Sequence, residues 1–136
     1  MGRNLVRFFI IYAALWAAAC IAVSAYSAHG LSGDETRVLW AKTGSFYGLV
    51  HVLGLLVLVV LGLLAQGRSF VLMIACSCFS LGLLLFSGGL YVKALGDISL
   101  GGPFIPVGGS LYILGWLLTA LFGVRFVGKE NDRSLS

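Results

Sequence analysis

Charge is what this chain has least of. Of 136 residues only 10% are charged, there are five acids against nine lysines and arginines, and two prolines in all. None of the acids (Asp34, Glu35, Asp97, Glu130 and Asp132) stands inside an apolar run, so paired carboxylates for acid-base work within a membrane are excluded. No phosphate-binding loop and no nucleophile with a neighbouring base can be read. The catalytic roster is empty. Three cysteines, Cys20, Cys76 and Cys78, all fall in apolar segments, which gives neither a disulfide framework nor a metal-ligand pattern. Cys76 and Cys78 would sit about 200° apart on a helix and could not share one ion.

What is present is apolar sequence, at 60% of the chain. A soluble domain of this length cannot bury that much, so the solvent is a bilayer. Nineteen glycines fit the same reading, because small residues let membrane helices approach closely. The formal net charge of +4 sits mostly at the ends of the runs and reads as topology and lipid contact, with no nucleic-acid partner.

Four runs are long enough to cross about 30 Å of hydrocarbon, over residues 5–26, 45–65, 70–95 and 107–126. The expected fold is all-α, a compact bundle of four transmembrane helices forming one domain over 1–127, with a charged tail over 128–136. Arg3 and Arg7, the first run and the small residues Val23-Ser24-Ala25 also resemble a secretory signal, but the run exceeds a usual signal core and is read as a retained helix. Its alanines Ala14, Ala18, Ala22 and Ala25 make a small-xxx-small stripe that would serve as a packing face. Ser32-Gly33-Asp34-Glu35 has capping-box spacing, which predicts a short interfacial helix over 33–41 between the first two spans. Six lysines and arginines lie at the termini and second loop against three in the other loops, which puts both termini in the cytoplasm.

The third run carries a stripe read back from Tyr91 through Ser87, Leu84, Ser80 and Cys76, small or hydroxyl-bearing on one side. Such a face must look inward in lipid. A shift of 61 residues lays Gly48, His51, Gly54 and Gly62 on Gly109, Tyr112, Gly115 and Gly123, as two hairpins related by an axis along the membrane normal would. His29, Tyr47, His51, Ser87, Gly88, Tyr91, Pro106, Gly108 and Gly109 gather toward the outer side and form the candidate ligand-binding set. An ionisable group at membrane depth marks a functional site by default, whereas a neutral histidine bonded across helices is packing without chemistry. The two histidines could also be paired haem ligands, though no attachment motif accompanies them. Pro106 followed by Gly108 and Gly109 resembles a helix start with free backbone amides for an anion. No metal or cofactor is expected.

Several motifs occur together in order: Ser27-Ala28-His29-Gly30-Leu31, Trp40 to Thr43, Tyr47 with His51, Leu85 to Tyr91, Pro106-Val107-Gly108-Gly109 and Gly115-Trp116. They resemble the small four-helix membrane family catalogued as domain of unknown function 423, to which transmembrane protein 256 of animals is similar. The resemblance implies a four-helix protein of the bacterial inner membrane, or by second choice the mitochondrial one, with no established activity. It also implies that the nine residues above, Tyr47 aside, are signature positions without assigned roles. The chain departs from the family where Ser24 to Ser27 replace a Gly-Ala-Phe-Gly run, where Gly48 replaces a polar residue and where Ile105 replaces a threonine. Those departures remove hydrogen-bonding groups and favour packing or partner binding. The expected function is therefore a noncatalytic accessory or assembly subunit of a larger membrane complex, respiratory or photosynthetic, in contact with lipids and other membrane subunits. The alternative is a small transporter or binder of lipid, quinone or solute.

Overall fold

A computed structural model describes residues 1–31, 33–65, 69–96 and 103–134, with side chains described as far as residue 125. Four helices account for nearly all of it: α1 (Arg3–His29), α2 (Glu35–Leu64), α3 (Phe70–Gly96) and α4 (Phe104–Ser134). All four are long and apolar enough to span a bilayer. The proposed capping serine at 32, the turn at 66–68 and the loop at 97–102 lie outside the described residues.

The boundaries follow local chemistry and correct four expectations. α1 ends at His29, and Gly33 has φ 107°, outside the helical region, so the next helix cannot begin there. Asp34 is therefore the N-cap of α2, its carboxylate accepting the Arg37 N–H at 3.0 Å. The short interfacial helix is not a separate element, because nothing between Ala41 and Ser45 breaks the backbone and it continues into α2. α4 starts at Phe104, and the Val107 N–H already bonds the Pro103 carbonyl at 2.8 Å. Pro106 thus occupies the first turn, where its missing donor costs nothing, while Gly108 lies beyond the unbonded amides. The anion-binding start read at Gly108 and Gly109 is not formed. The backbone of α4 also runs on to Ser134, through most of the stretch expected to be a tail.

Packing separates a central pair from two outer helices. α2 and α3 lie against each other, α1 packs mainly on α2 and α4 mainly on α3. About 44% of the apolar window is buried in each of α2 and α3, against 17% in α1 and 22% in α4. A two-fold axis exchanging α1 with α3 would bury them equally, so the packing does not have the symmetry the 61-residue shift suggests. The core is built on Val52, Leu55, Leu58, Leu72, Phe79 and Leu83.

The alanine stripe of α1 faces outward. Ala14, Ala18, Ala22 and Ala25 are all exposed, and the buried face is Phe9, Ala13, Cys20 and Ser27. Larger side chains with specific partners decide the rotation: Tyr12 donates to the Ser80 carbonyl at 2.6 Å, and Trp16 stacks on Tyr91. Close approach is supplied instead by the facing helix, where a Cβ on Gly48 would stand 2.5 Å from the Cys20 sulfur.

Within α3 the turn Leu83–Ser87 is π-helical, closed by the Gly88 N–H on the Leu83 carbonyl. The extra residue shifts the stripe within that turn, while Cys76 further back stays buried. Leu84, expected on the inward stripe, is 56% exposed, and Leu83 is fully buried in its place. The outer end of α3 is held by Arg37, whose Nε and one terminal nitrogen donate to the Ala94 and Leu95 carbonyls at 2.6 and 3.1 Å. A cation on the last carbonyls stabilises a helix C-terminus. Arg37→Ala should cost about 1 kcal/mol of stability in a denaturant titration, and Arg37→Lys should recover less than half, since one ammonium cannot match the fork.

Candidate functional site

The nine predicted residues do not form one cluster. His29 is the exposed last residue of α1, and Pro106 is exposed, its carbonyl accepting the Ser110 hydroxyl at 3.0 Å. Tyr47, His51, Ser87 and Gly108 do come together around the α2–α3–α4 junction, with Gly109 beside Phe86, whereas Tyr91 faces Ser45 on α2 and Trp16 on α1, and Gly88 also faces Trp16.

His51 is the centre of that junction. It is only 4% exposed, and its two ring nitrogens are both engaged. The Trp116 indole N–H donates to Nε2 at 3.1 Å, so in the neutral ring the proton sits on Nδ1 and is donated to the Tyr47 carbonyl at 2.7 Å. The carbonyl is four residues back on the same helix, which explains the Tyr47-His51 spacing. The imidazole lies flat on the Tyr112 ring, centroids 3.4 Å apart and planes 10° from parallel, with Phe79 edge-on at 5.3 Å. Paired haem ligation is not set up here, because neither ring nitrogen of His51 is open.

The hydroxyls are paired in the same way. Ser87 and Tyr112 oxygens are 3.2 Å apart, and Ser45 and Tyr91 oxygens 3.1 Å apart. Among the described residues no buried side-chain nitrogen or oxygen lacks a partner. Glycines make this density possible. A Cβ on Gly108 would stand 2.5 Å from the Phe86 backbone nitrogen, and one on Gly54 3.0 Å from the Phe79 ring, which Gly115 also meets. The π turn is the stretch of α3 that Gly108 approaches.

Phe79, Tyr112 and Trp116 around His51, Ser45 bonded to Tyr91, and Tyr12 bonded to the Ser80 carbonyl are absent from the predicted set. Trp116 had two signals: it stands in the Gly115-Trp116 motif of the resemblance, and the 61-residue shift pairs His51 with Tyr112, one turn before it on the same face. The rest depend on rotations of α1 and α3 that periodicity alone misplaces. A cavity of about 680 Å³ lies elsewhere, between residues 1–5 and 69–73, and none of the nine residues lines it.

A family model described as "Protein of unknown function (DUF423)" matches residues 23–109. The chain belongs to the DUF423 family. Similar proteins include the UPF0382 membrane protein SERP0230 of Staphylococcus epidermidis, 36% identical over 90% of this chain and 99% of its own length. The UPF0382 membrane protein YwdK of Bacillus subtilis is 33% identical over 89% and 99%, respectively. The UPF0382 inner membrane protein YgdD of Escherichia coli is 36% identical over 90% and 94%. No solved structure matches the chain. This DUF423 protein is a multi-pass protein of the bacterial inner membrane, with four apolar helices and a family whose activity is unknown.

Proposed function

We propose that the protein is a noncatalytic membrane subunit that docks, through α1, on a helix of a larger inner-membrane complex. The observation that carries this reading is the outward face of Ala14, Ala18, Ala22 and Ala25. Helices in lipid gain nothing from burying apolar surface against one another, so they associate where small side chains let backbones come close. Here such a face is presented away from the chain's own bundle, on the helix with the least internal burial. The closed centre supports the noncatalytic part: a transporter or binder acting at His51, Ser87 and Tyr91 would need groups turned toward a ligand, and these groups are turned toward one another.

The test is extraction of the untagged protein from its native membrane in mild detergent, with the mass and composition of the particle that carries it. Wild type should migrate with one defined larger assembly, and Ala18→Phe, which bulks the outward face, should release it while remaining folded. A particle holding this chain alone, in both wild type and variant, would overturn the subunit reading.

A further inference from the structure

The 680 Å³ cleft lies between the first turns of α1 and α3, on the side that the basic residues assign to the cytoplasm. Its wall is apolar, made by Leu5, Phe70 and Met73, and its rim is polar, made by Arg3, Asn4 and Ser69. Its size is that of sites which enclose small amphiphilic ligands. Phe70 is 67% exposed, so the apolar wall opens toward the hydrocarbon.

Among the described residues the charge of this cleft is unbalanced. No aspartate or glutamate occurs among residues 1–33, and neither α1 nor α3 has an acid in its first turn. Arg3 makes no ion pair among the described residues. α1 also opens on Gly2 with no side-chain cap, whereas Ser69 caps α3 by accepting the Leu72 N–H at 3.4 Å, so the unbonded amides beside Arg3 at this opening are those of α1. A cationic rim over an apolar wall, set at a membrane surface, is complementary to one class of molecule: an anionic phosphate carrying an acyl chain. Basic pockets between helices on the cytoplasmic side are where anionic headgroups bind.

We propose that this cleft is a site for one anionic phospholipid of the cytoplasmic leaflet, its headgroup phosphate at Arg3 and the rim of Asn4 and Ser69, one acyl chain along Leu5, Phe70 and Met73. The site is independent of the docking reading, since it uses another part of the surface.

The experiment is a native mass-spectrometry titration of the delipidated full chain in a neutral detergent, with phosphatidylglycerol and phosphatidylcholine of identical acyl chains. The first phosphatidylglycerol should bind at least about fivefold more tightly than phosphatidylcholine, the size expected for one surface arginine acting on an anionic lipid. Arg3→Gln should lower that preference at least about twofold, since Met1 with its terminal ammonium also lines the cleft, while Arg7→Gln, whose arginine does not line it, should leave the preference intact. Phe70→Ala should weaken both lipids, which reads the acyl arm without touching charge. Equal binding of the two lipids by wild type, or equal loss in Arg3→Gln and Arg7→Gln, would overturn the site as mere surface attraction. Displacement of phosphatidylglycerol by millimolar inorganic phosphate would overturn the lipid as its occupant.

Discussion

Gly108→Ala is expected to destabilise the bundle strongly at a crossing where main chain meets main chain. The added methyl would stand 2.5 Å from the backbone nitrogen of Phe86 and 3.0 Å from the Leu85 carbonyl carbon, so no side chain can swing aside to admit it. The two helices must separate, and the separation propagates to Tyr112 one turn on, whose ring covers His51. Overpacking of this kind costs about 3 kcal/mol, at the high end of its usual range because the obstacle is main chain. Gly123→Ala, on the same helix with nothing within 4 Å of the new atom, should stabilise by about 0.5 to 1 kcal/mol, since it gains helix propensity and meets no obstacle. Measuring both by unfolding titration in detergent tests the crossing itself. Equal effects in the two variants would show that helix propensity, not contact, sets the outcome.

That contrast also shows how far the sequence could be read. The number of helices, their membrane character and the glycine-rich faces were legible, because a span of about 20 apolar residues has few other uses. The rotation of each helix was not. In α1 four alanines at regular spacing looked like the packing face, yet Tyr12, Trp16 and Cys20 had partners waiting on α2 and α3 and turned the alanines to the outside. In α3 a stripe drawn at 3.6 residues per turn fails at Leu84, since one π turn holds a residue more than that period allows. Apolar sequence in lipid carries little amphipathic signal, so rotation is decided by individual contacts.

His51 is expected to be worth more as a packed ring than as a hydrogen-bonding group. Truncation to alanine removes the plate against Tyr112, vacates a fully enclosed volume beside Phe79 and leaves the Trp116 N–H without its acceptor. The cavity term dominates, and His51→Ala should cost about 3 kcal/mol. His51→Phe restores the ring and should recover most of that loss. What remains is the orphaned indole, and since such bonds in membranes average about 0.6 kcal/mol, the double variant His51→Phe with Trp116→Phe should show a coupling of about that size. A double-mutant cycle in the same detergent gives each quantity. If His51→Phe proved as damaging as His51→Ala, the imidazole nitrogens rather than its shape would hold the junction, and a chemical role for His51 would return to the front.

The order in which the helices pack is the order in which they are made. α2 meets α1, α3 meets α2 and α4 meets α3, so each helix entering the membrane finds its principal neighbour already there. No span has to be kept apart while awaiting a later one, and the central pair is complete before α4 arrives to supply Tyr112 and Trp116. Until then His51 has only the Tyr47 carbonyl. The histidine at the heart of the bundle, with Ser87 beside it, therefore waits for the last helix to complete its hydrogen bonds.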